Sequence, residues 1–506
     1  MAIDYKKFIE SKKSLLIAPA GHGKTYTIAE CVKYHTEGKQ LILTHTHAGV
    51  ASLKKKFNSK DFQIPSNSYS IETITGFIQK YILSFYPKNK IVDSTGKVIK
   101  ENSPEYFKFI DNKALILFQK PLIQNILQRT YSGIFVDEYQ DCSLKQHQII
   151  TNLSKNIPLR MLGDHLQGIF DFNDTPITLE ELEADCDYIC KLENPHRWQK
   201  EGATPELGEI IKNIRNSLDN NIEIQLDDNP NANFNVCLIN DSDIFNPESE
   251  YRKKLNHIIR YDKDEYKSLL IIVPEYEKIV RGSPRKYGTI NDRVKLRDKI
   301  DYTRSLILLE PIDQKQFYSI ANKIDKVLTS RKKLKNLYDN ILSKIFIESS
   351  LINIILDDFS DFKYNDIRKN QEVKDNLRAA FELFISNTSY KTILNLILLL
   401  KNEIKLKTKR DELFSSLVSC LKESLINNET VYQNMIKHRN KIRRMGRYVN
   451  QKCLGTTLLT KGLEFDTVII LDAHNFDCPK NFYVAISRCC KRLIIFTKNN
   501  ILQFNR

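Results

Sequence analysis

SLLIAPAGHGKTYTIAECV, residues 14–32, reads as a strand, a glycine loop and a helix in immediate succession. Leu15, Leu16 and Ile17 form the short apolar run expected of a buried strand. Gly21 and Gly23 reach backbone angles that other residues resist, so successive N–H groups can curve round an anion. Lys24 is spaced to reach the outer phosphates of a nucleotide, and the Thr25 hydroxyl to bind Mg²⁺. The helix starting near Thr25 points its positive end at the same phosphates. Ala20, Gly21, His22, Gly23, Lys24, Thr25 and Tyr26 are therefore the candidate nucleotide-binding residues. Ala18 stands where the pattern G-x-x-x-x-G-K-[ST] begins with glycine, and taken alone the stretch could be a chance turn.

Support comes from IFVDEYQDCS, residues 134–143, where two acidic side chains end an apolar run. Adjacent carboxylates repel, so folding stability gives little reason for Asp137 and Glu138. A metal ion, a phosphate and a water molecule give a good one. An acidic residue at such a strand end holds Mg²⁺ in P-loop enzymes, and a neighbouring glutamate can polarise the attacking water. The competing reading is a solvated acidic turn capping a helix near Ser143, which accounts for Asp141 but not for the pair.

The segments APAGHGKT, FVDEYQD, GDHLQGIF, NPHRW, KGLEFD and YVAISR occur in the order found in superfamily 1 helicases of the UvrD/Rep type, which the chain resembles. No match falls between about 286 and 440. The resemblance implies a catalytic set of Glu138, Gln167 as terminal-phosphate sensor, Arg197 on the γ-phosphate and Arg488 as arginine finger. It places His196 where relatives stack an aromatic on adenine, Glu464 on the ribose, and Gly462 where the backbone approaches nucleotide or DNA. Trp198 reads equally as core or functional. Single-stranded DNA contacts are implied for Thr46, His47, Thr73, Thr75, Phe77 and Phe172, the last as a base-stacking ring, whereas Phe170 reads as core. Departures are Ala48 for a lysine, Leu458 for a histidine, and Lys6 for the glutamine that reads adenine.

At 506 residues with 41% hydrophobic and 10% aromatic side chains, the chain is long enough for several folded domains. A net charge of +15 is compatible with a polyanionic partner. The ten cysteines lack paired Cys-x-x-Cys spacing, so free thiols in a reducing cytoplasm are expected rather than disulfides or zinc. The first residues show no signal-peptide pattern, and apolar runs such as TILNLILLL are too short to span a bilayer.

The expected architecture is α/β: two RecA-like P-loop domains with parallel sheets and helical accessory insertions. The first comprises 1–72 and 128–226, with a small helical insertion at 73–127. The second comprises 227–285 and 450–506, with a helical accessory domain at 286–449. VCLIN, SLLIIVP, TTLLT, TVIILDA and RLIIFT are its expected strands, and 219–235 is expected to be a linker. IKHRNKIRRMGR, residues 436–447, is a basic stretch that lines a nucleic-acid path or forms a solvated face.

The function this implies is Mg²⁺-dependent ATP hydrolysis coupled to movement on single-stranded or tailed duplex DNA, 3′ to 5′ by resemblance. An alternative follows from short relatives that partner an OLD-family nuclease in the Gabija antiphage system. There the chain would be a regulatory subunit sensing nucleotide or DNA ends without processive unwinding. A P-loop kinase or GTPase leaves YVAISR unexplained.

Overall fold

The computed structural model describes residues 3–504 except 88–90, 94–95, 100–102, 170–174, 200, 240–243, 262–267, 275–288, 302–305, 312–313, 348–370 and 446–451. Its first sheet contains β1 (Lys13–Ile17), β2 (Gln40–Thr44), β3 (Tyr69–Thr73), β4 (Gly133–Val136), β5 (Leu159–Gly163) and β6 (Tyr188–Lys191). These run in the order β3-β2-β4-β5-β1-β6, and every pairing is parallel. Parallel strands buried on both faces read as continuous apolar runs. Strand alternation sends Leu15, Leu41, Leu43, Ile134 and Val136 to one core and Leu16, Ile42, Phe135 and Leu162 to the other.

A two-stranded antiparallel ribbon and a second parallel sheet follow. The ribbon pairs β7 (Ile224–Gln225) with β14 (Ile501–Leu502). The second sheet comprises β8 (Phe234–Leu238), β9 (Leu269–Val273), β10 (Ile307–Leu308), β11 (Lys452–Thr456), β12 (Phe465–Ile470) and β13 (Cys489–Thr497). Its order is β10-β11-β9-β12-β13-β8. The α/β class with two parallel sheets is as expected.

Two local expectations are corrected. TTLLT is not a strand: β11 is KCLGT, and Thr457–Thr460 turns into a short helix. Nor is 219–235 a free linker, because β7 is tied to the chain's last strand and Ile224, Leu226 and Ala232 are buried in the second core.

The helices Ile74–Phe85, Pro104–Leu117 and Pro121–Thr130 share a core with β1, β2, β4 and β5. Between β10 and β11, helices from Lys315–Val327 to Val431–Met445 enclose a separate core that includes Phe317, Ile341, Phe381, Leu396, Leu417 and Met435. Buried arginines fasten this helical unit to the second lobe: Arg297 bonds Asp411 at 3.2 Å and the Lys409 carbonyl at 2.8 Å. Arg410 reaches the fully buried Glu310. All ten cysteines are free thiols. Among the described residues no helix is long and apolar enough to cross a membrane.

Candidate active site

β4, β5 and β1 lie side by side, so their carboxyl ends bring three loops to one edge of the first sheet. Ligands of open α/β sheets bind at such edges. The loop after β1 carries Gly21 at φ +77° and Gly23 at φ +92°, followed by the helix Lys24–Glu30. Gly23 offers that helix no side-chain cap. From the loop after β4, Glu138 Oε1 lies 2.6 Å and Asp137 Oδ1 3.4 Å from Lys24 Nζ. Glu138 itself sits in the left-handed region at φ +57°, and its backbone N–H donates to Asp137 Oδ1 at 3.0 Å. The unusual backbone angle at Glu138 lets both consecutive carboxylates meet one ammonium.

The third loop is joined to the second. Gln140 Nε2 donates to Glu138 Oε2 at 2.5 Å, while its Oε1 accepts from the Asp164 N–H at 3.0 Å. Gln167 Nε2 donates to Asp164 Oδ2 at 3.0 Å.

The second lobe presents the amino ends of β12 and β13 to this edge. Arg488 immediately precedes β13, and its carbonyl accepts from the Phe465 N–H at the start of β12 at 3.0 Å. Arg488 Nη2 donates to Gln167 Oε1 at 3.2 Å, closing a path between lobes. Lys461 Nζ reaches both Asp141 oxygens at 2.6 Å and the Gln167 carbonyl at 2.7 Å. Tyr483 accepts a hydrogen bond from the Ala20 N–H at 3.1 Å.

Arg197 also stands at the junction. Its backbone N–H donates to the Gly21 carbonyl at 2.9 Å, and its guanidinium bonds Glu464 Oε1 at 2.6 Å and the Ser487 carbonyl. His196 and Tyr26 flank the glycine loop: a Cβ on Gly23 would lie 3.5 Å from His196 Cδ2 and 3.9 Å from Tyr26 Cβ. Trp198 is core, packed in the second lobe's cluster with its indole N–H on the Cys489 carbonyl. His22 is buried against the Ala20 carbonyl, Thr25 is partly buried, and Gly462 faces open space at φ +80°.

The nucleic-acid candidates divide. Thr46 and Thr73 cap helices by accepting from the Gly49 and Gly76 N–H groups. Thr46, His47 and Thr75 are exposed at the same sheet edge, whereas Thr73 is buried. Phe77 is corrected: its ring is fully buried beside Tyr81, Phe118 and Tyr131, in the core and out of a strand's reach. Phe172 and Phe170 lie outside the described residues.

Several site residues went unread in the sequence. Asp141 is not the helix cap, a role filled by Ser143 with Gln146. It is the partner of Lys461, and only three-dimensional packing brings these positions together. Arg215 was more legible, as a cation on the apolar stripe of Leu207, Ile211, Ile214 and Leu218. It bonds the fully buried Asp164 at 3.0 Å and lies against the Tyr483 ring.

Electrostatics follow from burial and pairing. Burial opposes charge on Lys24, but Asp137 and Glu138 outweigh it and hold the ammonium above the usual lysine range. Burial raises Asp137 despite Lys24. It acts in the same sense on Glu138, but Lys24, Lys461 and Gln140 hold that carboxyl below its ordinary value. Burial pushes Asp141 up to about 6, against the pull of Lys461. Burial and then Arg197 lower Arg488 to about 10, which leaves it charged at neutral pH. The site thus offers an ionised carboxylate as proton acceptor and several cations for an anionic ligand.

The donor set fits a nucleotide with Mg²⁺. Thr25 and Asp137 would supply the small number of protein oxygens that this ion takes alongside water and phosphate. Among the described residues no cluster of three His, Cys, Asp or Glu side chains provides a protein-only metal cage.

Residues 2–173 match the family model of an AAA domain. The chain is 31% identical over 147 residues to an ATP-dependent helicase/nuclease subunit of Lactococcus lactis subsp. lactis (strain IL1403), covering 29% of this chain and 11% of that protein. It is 24% identical over 416 residues to ATP-dependent DNA helicase Rep of Buchnera aphidicola subsp. Schizaphis graminum (strain Sg), covering 74% of this chain and 60% of that one. A similar helicase/nuclease subunit from Alkaliphilus metalliredigens (strain QYMF) is 27% identical over 122 residues, 24% of this chain and 9% of that protein. The chain therefore spans less than two thirds of each of these relatives.

Proposed function

We propose that this chain is a Mg²⁺-dependent ATP hydrolase that moves on single-stranded DNA, a helicase or translocase of the superfamily 1 kind running 3′ to 5′. One observation carries the reading: contacts run unbroken from Lys24 through Glu138, Gln140, Asp164 and Gln167 to Arg488 in the other lobe. A site that takes its acid, its phosphate lysine and its outer arginine from two lobes suits a triphosphate whose hydrolysis moves one lobe against the other. The similarity to proteins named ATP-dependent helicases supports the same reading.

In this mechanism the glycine loop and Lys24 bind the phosphates, displacing Lys24 from Glu138. Thr25 and Asp137 would hold Mg²⁺, which would supply positive charge to offset that of the phosphates. Glu138, oriented by Gln140, accepts the proton of the attacking water. Gln167, Arg197 and Arg488 stabilise the charge that moves to the departing phosphate. His196 and Tyr26 border the base, with Glu464 on the ribose. Gln167 touches Arg488 through its side chain and Lys461 through its carbonyl, so loss of the γ-phosphate changes a contact both lobes share. Thr46, His47 and Thr75, at the same edge, grip the strand.

The test is ATP hydrolysis with and without single-stranded DNA, followed by strand displacement on a 3′-tailed duplex. Stimulated hydrolysis with displacement is expected. Nucleotide binding with no hydrolysis under any DNA condition would overturn the reading.

A second reading draws on the relatives named helicase/nuclease subunits. In it the chain regulates an OLD-family nuclease of an antiphage complex, hydrolysing ATP in response to DNA without displacing strands alone. DNA-stimulated hydrolysis without displacement selects it.

A further inference from the structure

The helix Pro205–Asp219 follows β6 of the first sheet, yet its apolar stripe belongs to the second core. Leu207, Ile211, Ile214 and Leu218 are buried in one cluster with Leu270, Val468 and Leu493 of the second sheet. Arg215 lies on the same stripe and is 2% exposed. Its guanidinium reaches the edge of the first sheet, where Nη2 bonds Asp164 Oδ1 at 3.0 Å, just past the end of β5. Nη1 bonds Asp219 Oδ2 at 3.3 Å, and Asp219 Oδ1 meets His165 Nε2 at 2.5 Å. Arg215 and Asp219 are one turn apart, so one helix face holds two consecutive residues of the loop that carries Gln167. An ion pair as buried as Arg215–Asp164 adds little stability over well-packed apolar side chains. Its geometry suits another task.

That task follows from the hydrogen bonds of the Gln167 amide. Asp164 is fully buried. Burial opposes its charge, but Arg215 and then Gln167 hold the carboxyl below its ordinary value. An ionised carboxylate only accepts hydrogen bonds. Gln167 must therefore turn its Nε2 to Asp164 Oδ2, at 3.0 Å, which leaves Oε1 to accept from Arg488 Nη2 at 3.2 Å. A protonated Asp164 would donate and let the amide turn over, setting an NH₂ group against the Arg488 guanidinium. Tyr483 closes the other side: its ring lies 5.8 Å from the Arg215 guanidinium, and its hydroxyl accepts from the Ala20 N–H at 3.1 Å. Both cations that bracket Gln167 are thus carried by the second core, Arg488 in direct contact and Arg215 through Asp164.

We propose that Arg215 is a positioning residue for ATP hydrolysis: through Asp164 it fixes the Gln167 amide with its oxygen toward Arg488. The proposal rests on the ATP-hydrolase reading, with Gln167 as its phosphate sensor, and adds a residue to that reading. A shift of the second lobe moves Arg215 and Arg488 together, so both ends of the Gln167 amide follow one movement.

The test is a double-mutant cycle on the full chain, read by single-turnover ATP hydrolysis with nucleotide affinity and melting temperature measured alongside. Arg215→Met is expected to slow hydrolysis by about 10²-fold, the loss that a misplacement of about 1 Å produces, with ATP affinity kept within a few-fold. Adding Arg215→Met to Gln167→Ala should change the rate by less than about twofold, because the group through which Arg215 acts is already gone. A merely structural Arg215 would multiply the two losses, and that result overturns the proposal. Hydrolysis at the wild-type rate in Arg215→Met overturns it too. Arg215→Gln, neutral but able to hydrogen-bond Asp164, takes the place of Arg215→Met if the latter does not fold, and the same outcomes decide. Multiplied losses in a hydrolysing chain remove this role alone. A wild-type chain that binds ATP and never hydrolyses it, with or without DNA, removes the ATP-hydrolase reading and this role with it.

Discussion

Glu138 and Asp137 touch the same ammonium, yet their surroundings drive their protonation in opposite directions. Under the proposed mechanism Glu138→Gln is the sharpest substitution: it would remove the proton acceptor and leave Asp137 for the metal. Turnover should fall by about 10²–10⁴ with nucleotide affinity kept within a few-fold, measured by steady-state hydrolysis and nucleotide titration. Undiminished turnover would reject the role given to Glu138. Asp141 supplies a pH test. With its carboxyl pushed up to about 6, acidification through that value protonates it and weakens its bridge to Lys461. Hydrolysis should fall as pH drops below about 6, and Asp141→Asn should show the same loss at pH 7.5. The contribution of Asp141 to stability has the opposite sign. Its folded pKa lies above the unfolded value, so between pH 4 and 6 the folded chain binds more protons than the unfolded chain. That contribution is lost as pH rises through 6, and Asp141→Asn should flatten this part of a melting-temperature profile. Lys24, Asp137 and Glu138 were readable because each falls within a few residues of a strand end in a short pattern. The Lys461–Asp141 bridge was not, because an ion pair between distant segments exists only after both sheets have packed.

At the level of elements, two glycines with similar backbone angles predict different outcomes. Gly21 has φ +77°, and a Cβ there would lie 2.9 Å from Arg197 Cβ and 3.0 Å from the Trp198 ring. Gly21→Ala should therefore displace the loop and weaken nucleotide binding at least tenfold, with a stability loss of about 1–3 kcal/mol. Gly462, at φ +80° with nothing within 4 Å of a built Cβ, meets backbone strain alone. Gly462→Ala should cost about 1–2 kcal/mol, and thermal melts of the two variants provide the comparison. Where strands carried apolar runs, as in β1, β4, β9 and β12, the elements were legible. TTLLT misled because threonine favours strands, whereas the register that pairs Lys452–Thr456 with Leu269–Val273 ends β11 before Thr457. The chain from 219 to 235 looked like a linker from its Asn and Asp content. Its anchoring depends on β14, far away in sequence. Glu310 and Arg410 were equally silent, since neither belongs to a motif. Arg410→Ala leaves the buried Glu310 carboxylate without its guanidinium and should destabilise the helical unit by about 3–5 kcal/mol in denaturant unfolding.

Across the whole molecule, the second lobe meets the first through chemistry and through packing together. Ala20, Leu166, Trp198 and Leu207 join the apolar cluster of the second sheet, and Lys461, Arg488 and Tyr483 cross to the loops of the first. Such an interface is suited to two positions, held together by polar contacts that a phosphate can rearrange. On the proposed reading, the second lobe completes a reaction whose substrate sits on the first. Single-turnover ATP hydrolysis by Arg488→Ala, with nucleotide affinity measured in parallel, tests it most directly. An arginine reaching across to the transferring phosphate contributes about 10³–10⁵ in rate, so hydrolysis should fall by at least about 10³ while ATP binding changes only a few-fold. Hydrolysis within about tenfold of wild type at unchanged affinity would contradict the account.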